Sequence, residues 1–194
     1  MPPRTSTTRG KAAAVPAAPV AGISTSFRPQ AAELAPALIA QHMVNNAAGR
    51  LALQKQLSEI LANYRDRLRA SGGPQNDVAR AAAYLVASSH QVYHDRGMMP
   101  RSQFDALRRQ LERAFQSNPV FQRKSDRDRQ IEFEAYAIMG SVIDISSTAY
   151  KQANDNKGLQ DVKQLAKAHF ESMMGLPPER VRFSDQGAQV LAGR

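Results

Sequence analysis

The stretch from residue 125 to residue 153 constrains the fold more than any other part of this chain. Placed on a helical wheel, its apolar side chains cover roughly two thirds of the circumference, whereas an ordinary surface helix carries an apolar stripe of about 100°. The main face consists of Ile131, Ala135, Ile138, Val142, Ile145 and Ala149, and it is extended by Tyr136, Met139, Ile143 and Tyr150. A helix with so wide an apolar arc needs packing partners on several sides, so we expect residues 125–153 to form the central helix of a bundle.

The wheel sets a narrow polar sector apart from this apolar arc. It contains Glu134, Ser141, Asp144, Ser147 and Thr148. Gly140 lies opposite the main face, where a missing side chain lets another backbone approach. Ser125 is a good N-cap residue, and Asp126 and Asp128 would place negative charge near the positive end of the helix dipole.

Apolar residues at helical spacing predict five further helices. They cover residues 29–43, 47–70, 76–96, 102–116 and 159–174. A short extended segment follows at Val181–Phe183, but no longer strand, internal repeat or sustained heptad pattern is present. Helices joined by short connections favour an all-α, bundle-like domain of five to six helices. We place this domain at residues 29–187, between a tail at 1–28 and a loose C-terminus at 188–194.

Composition excludes several kinds of site. The chain of 194 residues has no Cys, which excludes disulfides, thiolate metal sites and Cys nucleophiles. Trp is absent and aromatic residues make up 6%, which argues against an aromatic-lined ligand site. No apolar run approaches the length of a transmembrane helix. Phosphate-binding and dinucleotide-binding glycine motifs and the G-x-S-x-G motif are absent, so we predict no cofactor and find no motif for catalysis.

The first 28 residues are basic, rich in Pro and Ala, and lack acidic residues. Such a segment cannot bury enough apolar area to offset its ordering entropy, so we expect a disordered tail. A secretory signal is the alternative, with Ala12–Val20 as the apolar part and Val20–Gly22 as the cleavage region. The basic region before it would be Arg4, Arg9 and Lys11. Pro16 and Pro19 interrupt the apolar part, which argues against an intact signal.

His90 and His94 are the weak candidates for a metal site. Their spacing of four residues can place two imidazoles on one metal. A site needs further ligands, and Asp95, Glu132 or Glu134 would contribute only if the fold brings one of them close. The alternative is two partly exposed histidines near a helix end.

Asp144 interrupts an otherwise apolar run in the central helix. A buried carboxylate with a raised pKa would be a candidate acid or base. The helical wheel places it in the polar sector instead, which favours a solvated or hydrogen-bonded structural role.

Residues 101–129 form the best nucleic-acid candidate, because basic residues are concentrated there in a chain of formal net charge +9. The candidate residues are Arg108, Arg109, Arg113, Arg123, Lys124 and Arg127. Asp105, Glu112, Asp126 and Asp128 are interleaved with them, which weakens a continuous phosphate-binding stripe.

Four segments together resemble an uncharacterised bacterial family. They are S-G-G-P-Q-N-D-V-A-R-A-A-A-Y at 71–84, the region of Tyr93, Q-I-E-F-E-A-Y-A-I-M-G at 130–140, and M-G-L-P-P-E-R-V-R-F-S-D-Q-G at 174–187. The resemblance implies a helical protein of unknown function, and it favours export because most members are predicted to be exported.

The sequence therefore leaves three functions open. We favour a non-catalytic helical interaction or structural module of the cell envelope, whose partner is another protein. The second is a nucleic-acid-binding protein that uses residues 101–129. The third is a hydrolase-like enzyme with a site between helices, which a pocket holding His90 or Asp144 beside other titratable groups would favour.

Overall fold

The computed structural model describes residues 24–192. The helices are α1 (Ala35–Met43), α2 (Ala47–Ala70), α3 (Val78–His94), α4 (Arg101–Ser117), α5 (Pro119–Gln122), α6 (Asp126–Gln152) and α7 (Asn156–Met174). A 3-10 turn at Pro178–Arg180 then leads into a hairpin of β1 (Val181–Ser184) and β2 (Gly187–Val190). The predicted helical, bundle-like fold is confirmed, with the short α5 as an additional helix. The proposed signal features at Arg4, Arg9, Lys11 and 12–22 lie outside the described residues.

Two helices share the centre of the bundle, where the sequence predicts one. Helix α6 packs against α1, α2, α3 and α7, while α3 packs against α4, α6 and α7. Helix α3 buries twelve of its 17 residues and α6 buries ten of its 27. Across the described residues, no helix is both long enough and apolar enough to cross a bilayer.

The buried face of α6 is rotated from the face that the helical wheel predicts. Glu134, Ser141 and Ser147 belong to the predicted polar sector, yet all three are buried. Ile145, on the predicted apolar face, is 51% exposed. The wheel fails here because it ranks side chains by hydropathy and cannot register that a polar side chain has partners on another helix.

Gly140 allows α6 and α3 to approach closely, as the sequence predicts. A Cβ atom added at Gly140 would lie 2.8 Å from two ring carbons of Tyr84 and 3.2 Å from the Cα atom of Leu85. Any side chain at this position would therefore push the two central helices apart or displace the tyrosine ring.

Glu134 links α6 to the start of α1. Its Oε2 atom accepts hydrogen bonds from the backbone N–H groups of Leu34 at 2.7 Å and Ala35 at 2.8 Å. Its Oε1 atom accepts from Arg65 Nη2 at 2.8 Å and from Gln130 Nε2 at 2.9 Å. Helix α1 has no side-chain cap from its own N-cap residue. The carboxylate therefore satisfies the orphan donors of α1 from a position about a hundred residues further along the chain.

The packed part of the chain begins earlier than the predicted boundary after residue 28. Within the segment 24–34, Thr25 and Phe27 are buried. The Thr25 carbonyl accepts from the Val78 N–H at 3.1 Å, and its hydroxyl donates to Asp77 at 2.7 Å. These contacts with the start of α3 hold residues 25–27, which belong to the tail that composition predicts to be disordered.

The C-terminal segment also differs from the predicted loose end at 188–194. Strand β2 pairs with β1 in antiparallel register, with Val181 opposite Val190. The side chain of Gln110 on α4 accepts from the Ala188 N–H at 2.7 Å and donates to the Ala188 carbonyl at 3.4 Å. This side-chain pairing with the outer edge of β2 holds the hairpin against the bundle.

Candidate functional site

A cleft of about 410 Å³ runs beside α3, in the size range of small-ligand sites. We call it the arginine cleft. Its lining comprises Arg67, Ser71, Arg80, Tyr84, Ala87, Ser88, Gln91, Met98, Met99, Arg101, Phe104, Asp105 and Asp144. The lining combines apolar surface with a few polar groups that converge from α2, α3, α4 and α6.

Asp144 is the acidic centre of the arginine cleft. Its Oδ2 atom accepts from the Tyr84 hydroxyl at 2.7 Å and from the Ser88 hydroxyl at 2.9 Å. Partial burial raises the pKa of Asp144, while these two hydrogen bonds and the charge of Arg67 lower it. Burial and the nearby carboxylate also raise the pKa of Tyr84. The structure thus combines both expectations for Asp144: it is hydrogen-bonded, and its pKa is raised.

Two arginines at the cleft, Arg67 and Arg80, form no ion pair within 4 Å among residues 24–192. Arg67 donates to the Tyr84 hydroxyl at 3.3 Å and to the Ser141 hydroxyl at 3.2 Å. Arg80 donates to the Ser71 hydroxyl at 3.2 Å, and its guanidinium lies 5.6 Å from the ring centroid of Phe104. Arg101, in contrast, lies 3.8 Å from Asp105.

Gly73, in the loop between α2 and α3, helps to fix the position of Arg80. A Cβ atom at Gly73 would lie 2.4 Å from the central guanidinium carbon of Arg80. The guanidinium therefore rests against the bare backbone of Gly73 and also lies near an aromatic ring. This arrangement orients Arg80 before any ligand binds, which reduces the entropy lost on binding.

The cleft is suited to binding an anion. Guanidinium groups form charge-assisted, often bidentate hydrogen bonds with carboxylates and phosphates. Their charge here is only partly balanced by Asp144 and Asp105.

The two histidine candidates hold the C-terminal hairpin region. Their Nε2 atoms lie 3.3 Å from backbone carbonyls, His90 from that of Val181 and His94 from that of Pro178. Burial is the main cause that lowers the pKa of His90 to about 4, and His94 contributes. In the described part of the chain, no group of three or more His, Cys, Asp or Glu residues is placed to hold a metal ion.

The six nucleic-acid candidates differ in their surroundings. Arg108 forms ion pairs with Asp77 at 3.3 Å and Glu112 at 3.2 Å, and Lys124 pairs with Glu132. The other four are exposed on α4, on the connection after α5 and on the first turn of α6. These are Arg109, Arg113, Arg123 and Arg127, and none forms an ion pair within residues 24–192.

Sequence reasoning missed Arg67, Arg80 and Tyr84 as site residues. Tyr84 and Arg80 fall within one of the segments that carry the family resemblance, but nothing in their spacing distinguishes them from surface residues. Their convergence depends on the crossing of α2, α3 and α6.

A comparison with known families decides what kind of protein this is: residues 2–191 match the model of a family of unknown function.

The chain belongs to the DUF6683 family. This finding confirms the expectation of an uncharacterised family, and the match extends beyond the segments that suggested it. No curated protein and no solved structure matches the chain significantly. The function of a DUF6683 protein must therefore be argued from its own site.

Proposed function

We propose that the protein is a non-catalytic interaction module that binds an acidic segment of another protein in the arginine cleft. The observation that carries this proposal is the pair Arg67 and Arg80, which face one cleft and form no ion pair among the described residues. Arginine and aromatic residues are enriched where proteins bind one another. The apolar surface of Met98 and Phe104 supplies a place for side chains that flank the partner's acidic group.

The internal hydrogen bonds of the cleft support a binding role rather than a hydrolytic one. The hydroxyls of Tyr84 and Ser88 on α3 both donate to Asp144 on α6, so each is engaged in holding these two helices together. A hydroxyl nucleophile needs a base that accepts its proton as it attacks. Ser88 is buried, and the two hydroxyls are directed at Asp144 rather than at a molecule in the cleft.

The proposal places the module in the bacterial cell envelope, and this part rests on the sequence resemblance alone. Fractionation of a bacterium that produces the full-length chain tests it directly. The chain should be recovered with the periplasmic or membrane fraction, and recovery with the cytosol would refute this placement.

Binding of a synthetic acidic peptide tests the proposed function. The probe is a fluorescein-labelled seven-residue peptide in which glutamate and leucine alternate, measured by fluorescence polarisation at low salt. The double variant R67Q/R80Q should bind about tenfold or more weakly, since each charge-assisted contact contributes about 1 kcal/mol at a partly exposed site.

The matched control is R109Q/R113Q, which removes the same charge from exposed positions on α4. It should change peptide affinity less than threefold (about 0.6 kcal/mol). Equal losses in the two double variants would show attraction by net charge alone, and they would refute the cleft as the binding site. Preferential binding of duplex DNA that R109Q/R113Q abolishes would instead support the nucleic-acid function.

A further inference from the structure

A second pocket continues the arginine cleft along α3 toward the C-terminal hairpin. It has a volume of about 540 Å³, and we call it the hairpin pocket. Its lining comprises His90, Gln91, Arg96, Gly97, Met98, Met99, Pro100, Gln103, Arg182 and Phe183. Gln91, Met98 and Met99 line both cavities, so the two form one trough.

The far end of this trough is also cationic. Arg96 and Arg182 are exposed, and neither forms an ion pair with a carboxylate in the part of the chain that the structure describes. The trough therefore carries a pair of arginines at each end. Arg67 and Arg80 lie in the arginine cleft, and Arg96 and Arg182 lie in the hairpin pocket. Arg80 lies in the first turn of α3, and Arg96 lies two residues beyond its last residue, His94. The fourteen residue steps from Arg80 to His94 correspond to about 21 Å at the helical rise.

The middle of the trough is apolar. Met98 is 91% exposed, and the neighbouring Met99 packs partly against the bundle. Methionine side chains are flexible and polarizable, so they adapt to apolar groups of different shapes. Gln91 lies between the two arginine pairs and can offer an amide to a passing backbone.

We propose that the occupant of the trough is an extended acidic segment of a partner protein, about seven residues long. An extended chain advances about 3.3 Å per residue, so seven residues span the distance between the arginine pairs. Carboxylates near its two ends meet the paired arginines, and apolar side chains between them lie on Met98 and Met99. This inference rests on the proposed function and adds the length and charge pattern of the partner.

Other occupants fit the trough less well. The first 23 residues of this chain carry Arg4, Arg9 and Lys11 and no acidic residue, so their charge does not complement arginines. Single-stranded nucleic acid carries a phosphate at every step, so some of its phosphates would face the apolar middle at Met98 and Met99. The apolar middle also matches aliphatic side chains rather than phosphates.

The test extends the peptide measurement to the far end of the trough. The probe is a labelled seven-residue peptide with glutamate at both ends and alternating leucine and alanine between them. The double variant R96Q/R182Q should bind this peptide about tenfold more weakly. R96Q/R182Q and the unaltered protein should have the same affinity for a four-residue peptide with a single glutamate, because the shorter peptide cannot reach both arginine pairs.

The outcomes separate this inference from the proposed function. Loss of binding in R67Q/R80Q with full binding in R96Q/R182Q would overturn the seven-residue occupant and leave the arginine cleft as the site. Unchanged affinity when the peptide is shortened would also overturn it. Tighter binding of a twelve-nucleotide single strand, weakened by both double variants, would replace the peptide by nucleic acid. Far-ultraviolet circular dichroism of each variant confirms that the exposed substitutions leave the fold intact.

Discussion

Replacing Glu134 by Gln should destabilise the protein substantially while preserving the shape of the side chain. The carboxylate accepts four hydrogen bonds, two at each oxygen. A glutamine has one carbonyl oxygen, which can serve one of these pairs. Its NH₂ group must then face the other pair, where both partners are also donors.

The magnitude follows from the two donors that lose their acceptor. A buried donor left without a partner costs about 1–3 kcal/mol, so the free energy of unfolding should fall by about 3 kcal/mol. For a domain of this size, 1 kcal/mol corresponds to about 2–4 °C, so Tm should fall by about 6–12 °C. Either orientation of the amide gives this result, since the backbone N–H groups of Leu34 and Ala35 lie opposite Arg65 and Gln130.

Urea denaturation followed by circular dichroism measures the difference. The matched control is Glu171→Gln, which removes the same charge at a partly exposed residue that lies 3.8 Å from Lys167. The control should lose at most about 0.5 kcal/mol. A Glu134→Gln protein as stable as the control would refute the reasoning, because it would mean that the buried carboxylate contributes no more than a surface charge.

Two further predictions concern packing and pH. Gly140→Ala should lower Tm by a few degrees, since overpacking against Tyr84 costs about 1–3 kcal/mol and exceeds the gain of about 1 kcal/mol in helix propensity. The control is Gly97→Ala, whose added Cβ meets nothing within 4 Å. Equal melting temperatures of the two variants would contradict the close approach of α6 and α3. His90 has a pKa of about 4 in the folded protein and about 6.5 when unfolded, so the unfolded chain binds more protons between these values. The contribution of His90 to the free energy of unfolding is therefore complete above pH 6.5, and it is lost as the pH falls toward 4. Between pH 7 and pH 4, the free energy of unfolding should therefore fall by about 2 kcal/mol more in the unaltered protein than in His90→Gln, after allowance for solvent screening. Urea denaturation at the two pH values measures this difference. An equal fall in both proteins would rule out this role of His90.

Local features of the fold could be predicted from the sequence because they depend on neighbouring residues. Ser125 accepts from the Asp128 N–H at 3.2 Å, as expected of an N-cap residue. The predicted helix end at residue 174 is followed by Gly175, which adopts φ 68°, the left-handed conformation in which helices commonly end. The close contact of α6 with α3 at Gly140 could also be predicted, because a glycine within a helix lets another backbone approach.

Features that depend on distant residues could not be predicted in this way. The burial of Glu134 requires Arg65 and the start of α1, which lie 69 and about a hundred positions away. Likewise, the partners of Thr25 are Asp77 and Val78, which lie more than fifty positions away. The arginine cleft has the same origin, because Arg67 and Arg80 converge through the crossing of helices rather than through a motif.

The dependence of α1 on Glu134 has a consequence for the order of events during synthesis. A nine-residue helix is marginal alone in water, and α1 lacks a cap of its own. Its acceptor emerges about a hundred residues later, which is about 5–20 seconds at ordinary translation rates. We therefore expect α1 to dock after the ribosome has completed most of α6, so that the first helix made is among the last to be secured.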